Sequence, residues 1–255
     1  MEQYKIVEAV SEKIIAEKTC EAIFLKGEIA RQEHDQYSDI DLYVLVSKQN
    51  FDRFLEDRLS YLEAYQPLLH YQFSLSIYPL VIGVYENGYR INLYAVSESD
   101  KIQAGAMLVI YDPKKILSEF EKISLSYSAD EIKEELESFC LNAKDYFVAC
   151  KRRDQIYSFS LATALFQSFA SLFRIGFDAE NAKMGVKNFL KKSDYETRRV
   201  LKEILSKLNY EFHPDAVKLM FVALDSLLGT FPLKIVENVN FDFYNHTKNL
   251  IMSIN

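Results

Sequence analysis

Residues 38–46 are Ser-Asp-Ile-Asp-Leu-Tyr-Val-Leu-Val, and their pattern is the main indication of how the N-terminal half folds. Its apolar, β-branched character predicts a strand, in which residues two apart face the same side. Asp39 and Asp41 would then present two carboxylates side by side, while Ile40 and Leu42 face a core. Neighbouring like charges repel each other. Because Mg²⁺ prefers carboxylate and phosphate oxygens, the pattern predicts a metal site at the two aspartates.

A glycine follows a second apolar run upstream of the acidic strand. Residues 22–25 are Ala-Ile-Phe-Leu, and Gly27 comes one lysine later. A glycine after a strand lets the backbone come close to a bound group. The sequence therefore predicts a strand, a glycine turn, a linker and an acidic strand, in that order.

This arrangement resembles the nucleotidyltransferase superfamily whose core is shared with DNA polymerase beta. The family pattern is Gly-[Ser/Gly], a spacer of about a dozen residues, and Asp-x-[Asp/Glu]. The matching residues are Gly27, Ala30, Arg31, Ser38, Asp39, Ile40, Asp41 and Leu42. The resemblance covers roughly residues 20–112. Beyond them, a helical second domain is similar to the aminoglycoside and lincosamide nucleotidyltransferases in architecture alone.

The resemblance implies transfer of an NMP from an NTP to a hydroxyl group of a small molecule, antibiotics included. ATP is the first choice of nucleotide, and Mg²⁺ or Mn²⁺, held by Asp39 and Asp41, is the implied cofactor. We expect the acceptor to bind between the sheet and the helices, and the analogy also points towards a homodimer. The implied nucleotide-binding residues are Gly27, Glu28, Arg31 and Ser38.

Two positions depart from the family pattern. Glu28 stands where a small hydroxyl residue usually helps to hold the phosphates, and Asn92 occupies the position of the third carboxylate. We count Asn92 among the catalytic residues, since its carbonyl can bind a metal, but it cannot accept a proton as a general base. Either the base comes from elsewhere, with Glu135, Asp145 and Asp154 as candidates, or turnover is impaired.

Two rival functions stay open at this point. The first is a relative that kept the scaffold, lost catalysis and serves as a nucleotide- or protein-binding module; Glu28 and Asn92 favour it. The second is a glycosyltransferase with an Asp-x-Asp metal motif. That class normally needs a larger nucleotide-binding domain than residues 20–112 provide.

Several polar residues also have plain structural interpretations. Arg31 either forms a surface ion pair or braces the loop and reaches a phosphate. Ser38 is expected to bond the following backbone rather than a metal. Glu28 and His34 are expected to be solvated. The cluster at residues 151–153, Lys-Arg-Arg, suits the C-terminal end of a helix dipole better than a phosphate site.

Three tyrosines lie in a predicted hairpin. Tyr85, Tyr89 and Tyr94 flank the Asn87-Gly88 turn signal. Cross-strand packing is the expected role, and stacking on a base or sugar is the alternative.

Composition limits the class of protein. The 255 residues are 49% hydrophobic, with 18 Phe and 17 Tyr, which is ample for a buried core. The net charge is −7, with 13 Lys and Arg against 20 Asp and Glu in residues 1–127 and 17 against 17 in the rest. Such acidity argues against a nucleic-acid binder.

The cysteine content and the hydropathy along the chain indicate the cellular compartment of the protein. Three cysteines at no metal-type spacing suit a reduced environment. The first residues suggest an amphipathic helix, and no uninterrupted apolar run reaches the length of a membrane span. We therefore expect a cytoplasmic protein that binds no membrane.

The order of predicted elements gives the fold class. The first part has a helix over 3–19, strands over 22–26 and 39–46, and a helix over 48–65 capped by Ser47. A strand over 71–78, a hairpin over 80–96, a strand over 107–111 and a helix over 114–122 follow. Later signals are a capping box at 128–131, a buried helix over 156–173 bounded by Gly176, a capping box at 193–196 and a helix over 214–229 begun by Pro214. The sequence thus predicts an α+β chain. Residues 1–124 would form a mixed β-sheet with helices on one face, and residues 125–255 a bundle of four to six helices.

Overall fold

The computed structural model describes residues 1–75, 77–97, 100, 106–119, 124–231, 237 and 239–254. The chain divides into two compact units, Met1–Ile123 and Ser124–Asn255. The first unit is built on a mixed β-sheet and the second on helices. The predicted α+β fold class is confirmed.

Six strands form one sheet in the first unit. They are β1 (Cys20–Lys26), β2 (Ile40–Val46), β3 (Leu68–Leu75), β4 (Pro79–Tyr85), β5 (Arg90–Ser97) and β6 (Leu108–Tyr111). Their order across the sheet is β3-β4-β5-β2-β1-β6. Strand β2 pairs antiparallel with β1 and parallel with β5, so the strand that carries Asp41 is central.

Helices cover one face of this sheet. They are α1 (Glu2–Ala16) and α3 (Phe51–Leu62), while α2 (Gly27–Ala30) is a single turn after β1. Ile6 of α1 and Phe54 of α3 are fully buried with Leu42 and Leu93 of the sheet. Because strand side chains alternate, Asp41 and Asn92 face the opposite side.

The opposite face has its own smaller hydrophobic cluster. Phe24, Leu45 and Val96 are buried there, with the half-buried Tyr43 and Tyr94 packed against them. The apolar cluster therefore continues along the same face that carries the polar residues at one end of β2 and β5.

Element boundaries in the first unit differ from several predictions. Helix α3 begins after Asn50 rather than Ser47, and β3 begins three residues earlier than the predicted strand over 71–78. Instead of a helix over 114–122 there is a 3₁₀ turn, Ile116–Glu119, because the Asp112 carboxylate accepts two of its backbone N–H groups. Residues 76 and 120–122 of these predicted elements lie outside the described residues.

The helical unit has five α-helices within residues 124–231 and 239–254. They are α4 (Ala129–Lys151), α5 (Gln155–Asp178), α6 (Tyr195–Lys207), α7 (His213–Leu228) and α8 (Phe241–Met252), with 3₁₀ turns at Ala179–Met184 and Phe189–Lys191. Large side chains from different helices meet in the core, among them Phe139, Phe169 and Phe221. The predicted bundle of four to six helices agrees with this part of the chain.

The N-cap predicted from the sequence is present at α4, but the one predicted for α6 is not. The capping box of Ser128 and Glu131 is present. At α6 the cap is Asp194, which accepts a hydrogen bond from the Thr197 backbone, so the predicted box led by Ser193 is wrong by one residue. Helix α5 also continues past Gly176 to Asp178, because Gly176 is closely covered by Leu227 and not placed at a turn.

One helical stretch among the described residues, Gln155–Met184, is long and apolar enough to cross a membrane by length and composition. In the structure its main helix, α5, packs against α4 and α7. Its end carries a buried ion pair between Arg174 and Asp178.

Candidate active site

Strand register brings three polar side chains together at one end of the sheet. Asp41 on β2 lies opposite Lys26 on β1 and opposite Asn92 on β5. Residues that are paired in register point to the same face. The acid, the cation and the amide are therefore neighbours on the face that the helices α1 and α3 leave open.

A continuous chain of polar contacts links the two aspartates. Asn92 Nδ2 donates to Asp41 Oδ1 at 2.8 Å, and Arg90 Nε donates to Asn92 Oδ1 at 3.0 Å. Arg90 Nη1 lies 3.5 Å from Asp39 Oδ2. Asn92 is buried, whereas Asp39 and Arg90 each have a side chain that is 44% exposed. The amide thus links the half-buried Asp41 to the exposed ion pair of Asp39 and Arg90.

Gly27 is required by both backbone conformation and space. Its φ of +70° lies in the left-handed region that side chains with a Cβ rarely adopt. A Cβ at this position would lie 2.4 Å from Asp41 Oδ2, far inside contact distance. The turn after β1 therefore leaves one oxygen of Asp41 facing the backbone of Gly27.

The linker before β2 is fixed by its own side chains. Ser38 is buried; its hydroxyl donates to Glu28 Oε2 at 2.5 Å and accepts from the Asp35 backbone N–H at 3.1 Å. Gln3 of α1 donates to the Asp35 carbonyl at 2.7 Å. Ser38 thus has the predicted structural role. Glu28 is half-buried and bonded to Ser38, so the expectation that it is solvated is wrong.

Arg31 and His34 both have structural contacts in the same linker. Arg31 Nε pairs with Glu33 Oε2 at 3.1 Å, an exposed contact that agrees with the surface ion-pair interpretation. His34 is not freely solvated as expected: its ring packs edge-on against Tyr4, with Nε2 3.3 Å from the tyrosine hydroxyl.

Aromatic rings form a stack beside the acidic pair. Tyr43 stacks on Tyr94 with ring centroids 4.2 Å apart, and on Phe24 at 5.3 Å. The Lys26 ammonium lies 5.2 Å from the Tyr43 ring centroid. Burial lowers the pKa of Lys26, and the nearby Asp41 charge opposes that shift. Burial likewise raises the pKa of Tyr43 and Tyr94, which keeps both hydroxyls protonated.

The hairpin tyrosines divide between two faces. Tyr85 is fully buried under α3, where its hydroxyl donates to the Leu62 carbonyl at 2.8 Å, so packing is its role. Tyr94 belongs to the aromatic stack. Tyr89 lines a cleft of about 420 Å³ beside the acidic pair. The residues around this cleft are Gln36, Tyr37, Ser38, Asp39, Asn87, Gly88, Tyr89 and Arg90.

The site offers two carboxylates to a hard divalent cation. Within the part of the chain that the structure describes, no group of three or more His, Cys, Asp or Glu side chains could hold a metal ion. Two carboxylates, with phosphate oxygens completing the shell, are nevertheless a usual Mg²⁺ site. Asp39 and Asp41 would supply those carboxylates, and the Asn92 amide oxygen is the next polar donor. Asn92 and Arg90 already contact these oxygens, so a cation would have to compete with them.

The three candidate bases in the helical unit differ in their hydrogen bonds and exposure. Glu135 accepts a hydrogen bond from Ser168 at 2.6 Å, and Asp154 caps α5 by accepting from the Tyr157 backbone. Asp145 is exposed on α4. In the basic cluster, Lys151 ends α4 and Arg152 is its C-cap, as expected for cations at the end of a helix dipole.

Sequence reasoning missed Arg90 and Lys26. The signal for Arg90 was available, because residues 90, 92 and 94 share one face of a strand. Lys26 could be placed only from the antiparallel register of β1 and β2. Together they bring two positive charges to the two aspartates.

The fold and the site define an α+β chain with an acidic pair at a glycine turn, on the face of a mixed sheet opposite helices α1 and α3. Scanning protein-family models gives no match, and a search of curated proteins gives none. Among solved structures, the chain is similar to a crystal structure of an aminoglycoside 6-adenyltransferase from Bacillus subtilis. The identity is 12%, the TM-score is 0.38, and the match covers 100% of this chain and 98% of the other. Such a score is too low to carry an argument.

Proposed function

We propose that the protein is a metal-dependent nucleotidyltransferase that moves an NMP from an NTP, ATP first, to a hydroxyl group of a small molecule. The observation that carries the proposal is the placement of Asp41. Its carboxylate faces the backbone of Gly27, where a Cβ would lie 2.4 Å from Asp41 Oδ2. Asp39 stands two residues away beside an open cleft.

Each site residue has a role in this proposal. Asp39 and Asp41 would hold Mg²⁺ or Mn²⁺, which when bound supplies charge neutralisation for the triphosphate. The backbone at Gly27 would lie against the phosphates. Tyr37 and Tyr89, which line the cleft, offer rings on which the base can stack. In the reaction the acceptor oxygen bonds to the α-phosphorus, and pyrophosphate leaves.

The proton of the acceptor hydroxyl needs a base. Asn92 cannot take it, and its amide hydrogen is used to hold Asp41. Glu135, Asp145 and Asp154 remain the proposed candidates. The acceptor class, antibiotics included, and the homodimer rest on the sequence resemblance, whereas the cytoplasmic location rests on the cysteine pattern.

A panel assay tests the proposal directly. Purified protein with Mg²⁺ and each NTP is offered hydroxylated metabolites and antibiotics, and pyrophosphate release is measured. Asp41→Asn removes a charge from the site, so we expect at least a hundredfold loss of turnover, the usual cost of losing a charged catalytic group. The matched control is Asp57→Asn on α3, whose exposed ion pair with Arg53 lies away from the site.

A non-catalytic nucleotide-binding module is the second candidate, and Asn92 favours it. Such a protein would bind an NTP with Mg²⁺ and release no pyrophosphate with any acceptor. Calorimetric binding of each NTP, run beside the panel, separates the two functions. Absence of both binding and release would refute the proposed enzyme.

A further inference from the structure

Arg90 contacts both Asn92 and Asp39 of the candidate site. Its Nε donates to the Asn92 amide oxygen, and its Nη1 lies 3.5 Å from Asp39 Oδ2. Its side chain is 44% exposed and lines the same cleft as Tyr37 and Tyr89. The guanidinium is therefore held between the acidic pair and the space in front of it.

This position conflicts with a divalent cation at Asp39. A cation bound to Asp39 Oδ2 would lie within a few ångströms of a guanidinium that cannot lose its proton. Two positive charges at that separation repel each other, and the repulsion exceeds the bulk-water value at a partly buried site. Arg90 and the cation must then exclude or weaken each other.

The cleft offers Arg90 another partner. A nucleotide in the cleft would bring several negative charges within reach of a side chain that already lines it. Guanidinium groups bind phosphate oxygens through paired N–H donors. Moving from one carboxylate to a phosphate would keep the arginine paired and would free Asp39 for the cation.

We propose that Arg90 competes with the divalent cation for Asp39, and that it pairs with the nucleotide phosphates when the cation takes that carboxylate. The inference rests on the proposed function. It makes Arg90 a positioning residue that couples the binding of the two ligands: the cation alone binds weakly, and the cation together with a nucleotide binds well. Such coupling is reciprocal, so each ligand raises the affinity for the other by the same factor.

The first measurement is Mn²⁺ binding without nucleotide, followed by electron paramagnetic resonance. Arg90→Gln removes the competing charge, so we expect Mn²⁺ to bind about threefold to tenfold more tightly. Arg90→Lys keeps the charge and should remain near the unmodified protein. Arg53→Gln is the matched control, because Arg53 forms a similar exposed ion pair with Asp57 on α3, at 3.7 Å.

The second measurement is binding of a non-hydrolysable ATP analogue in saturating Mn²⁺, by calorimetry. Here Arg90→Gln should bind about tenfold more weakly, because a phosphate partner is lost. The two effects of one substitution have opposite signs. A purely structural ion pair, or a general loss of folding, would not produce that combination.

Each result decides the matter. Tighter Mn²⁺ binding together with weaker analogue binding in Arg90→Gln alone supports the inference. If unmodified protein binds Mn²⁺ and the analogue but Arg90→Gln behaves like Arg53→Gln, competition is refuted while the proposed function stands. If no variant binds either ligand, the proposed function and this inference are both overturned.

Discussion

Among single residues, Gly27 matters to the site because it has no side chain. The positive φ alone would favour glycine at many turns, but the nearness of Asp41 Oδ2 adds a second requirement. A methyl group at this position would push against the carboxylate that we assign to the metal. The absence of a Cβ at Gly27 thus permits both the positive φ of the turn and the position of the Asp41 carboxylate.

Gly27→Ala tests that link against a glycine with the same backbone constraint. Gly88 also has a positive φ, +83°, but nothing lies within 4 Å of its ideal Cβ. Gly88→Ala should cost about 1 kcal/mol of unfolding free energy from strain alone. Gly27→Ala should cost about 1–3 kcal/mol more and should abolish Mn²⁺ and ATP binding. Urea denaturation and calorimetry measure both quantities; equal effects at the two positions would contradict this account.

Asn92→Asp tests the departure from the family pattern. The new carboxyl would replace an amide that donates to Asp41 at 2.8 Å, so two acids would face each other. Repulsion between them should lower the unfolding free energy by about 1–2 kcal/mol at neutral pH, and Mg²⁺ should restore it. The loss should shrink at acidic pH, where one carboxyl takes a proton. Thermal unfolding with and without Mg²⁺ measures the loss of stability. If the stability of the variant depends on neither pH nor Mg²⁺, the predicted repulsion between the two carboxyls is contradicted.

At the scale of elements, α4 begins with a charged cap whose effect depends on pH. Hydrogen bonds from Lys183 and from the Ser128 backbone lower the pKa of Glu131 from 4.5 to about 2. A carboxyl with a lowered pKa stabilises the fold above its unfolded value, and that contribution is lost as pH falls through the folded value. The stabilisation should therefore be complete above pH 4.5 and decline towards pH 2.

Glu131→Gln isolates this charge, because glutamine keeps the capping hydrogen bond. We expect a loss of about 0.5 kcal/mol at pH 7, small because the side chain is partly exposed. The gap to the unmodified protein should close below pH 4.5. Glu134→Gln, an exposed acid on the same helix, is the control. Chemical denaturation at several pH values measures it, and a gap that is as large at pH 2 as at pH 7 would refute the assignment.

Elements were predicted better than their ends. The order of strands and helices followed from hydrophobic period, and the Asn87-Gly88 hairpin joins β4 to β5 as the turn signal indicated. Helix starts were less certain, because Ser47 and Asn50, or Ser193 and Asp194, offer similar caps and tertiary packing chooses between them. The sequence did not give the pairing of strands across the sheet, and for that reason Lys26 was missed. Arg90 was missed although its place on the same strand face as Asn92 follows from the two-residue period.

At the scale of the whole molecule, the two units are stabilised by different kinds of contact. The first has apolar clusters on both faces of its sheet. The second adds a buried ion network to its helical core. Burial alone would raise the pKa of Asp178, but hydrogen bonds from Asn181, Lys192 and Arg174 lower it. Arg174 also donates to the carbonyls of Gly185 and Lys187, so the network fixes the chain beyond α5.

Asp178→Asn should therefore weaken the second unit selectively. The substitution leaves Arg174, only 3% exposed, without its full counter-charge, and breaking a buried pair in this way costs about 3 kcal/mol. Asp225→Asn is the matched control in the same unit, because Asp225 pairs with Lys248 at a half-exposed site and should cost less than about 1 kcal/mol. Hydrogen exchange measured on proteolytic peptides should show faster exchange in residues 124–231 than in residues 1–75. Equal losses for the two variants, or an equal rise in exchange over both ranges, would show that the buried network does not stabilise the second unit on its own.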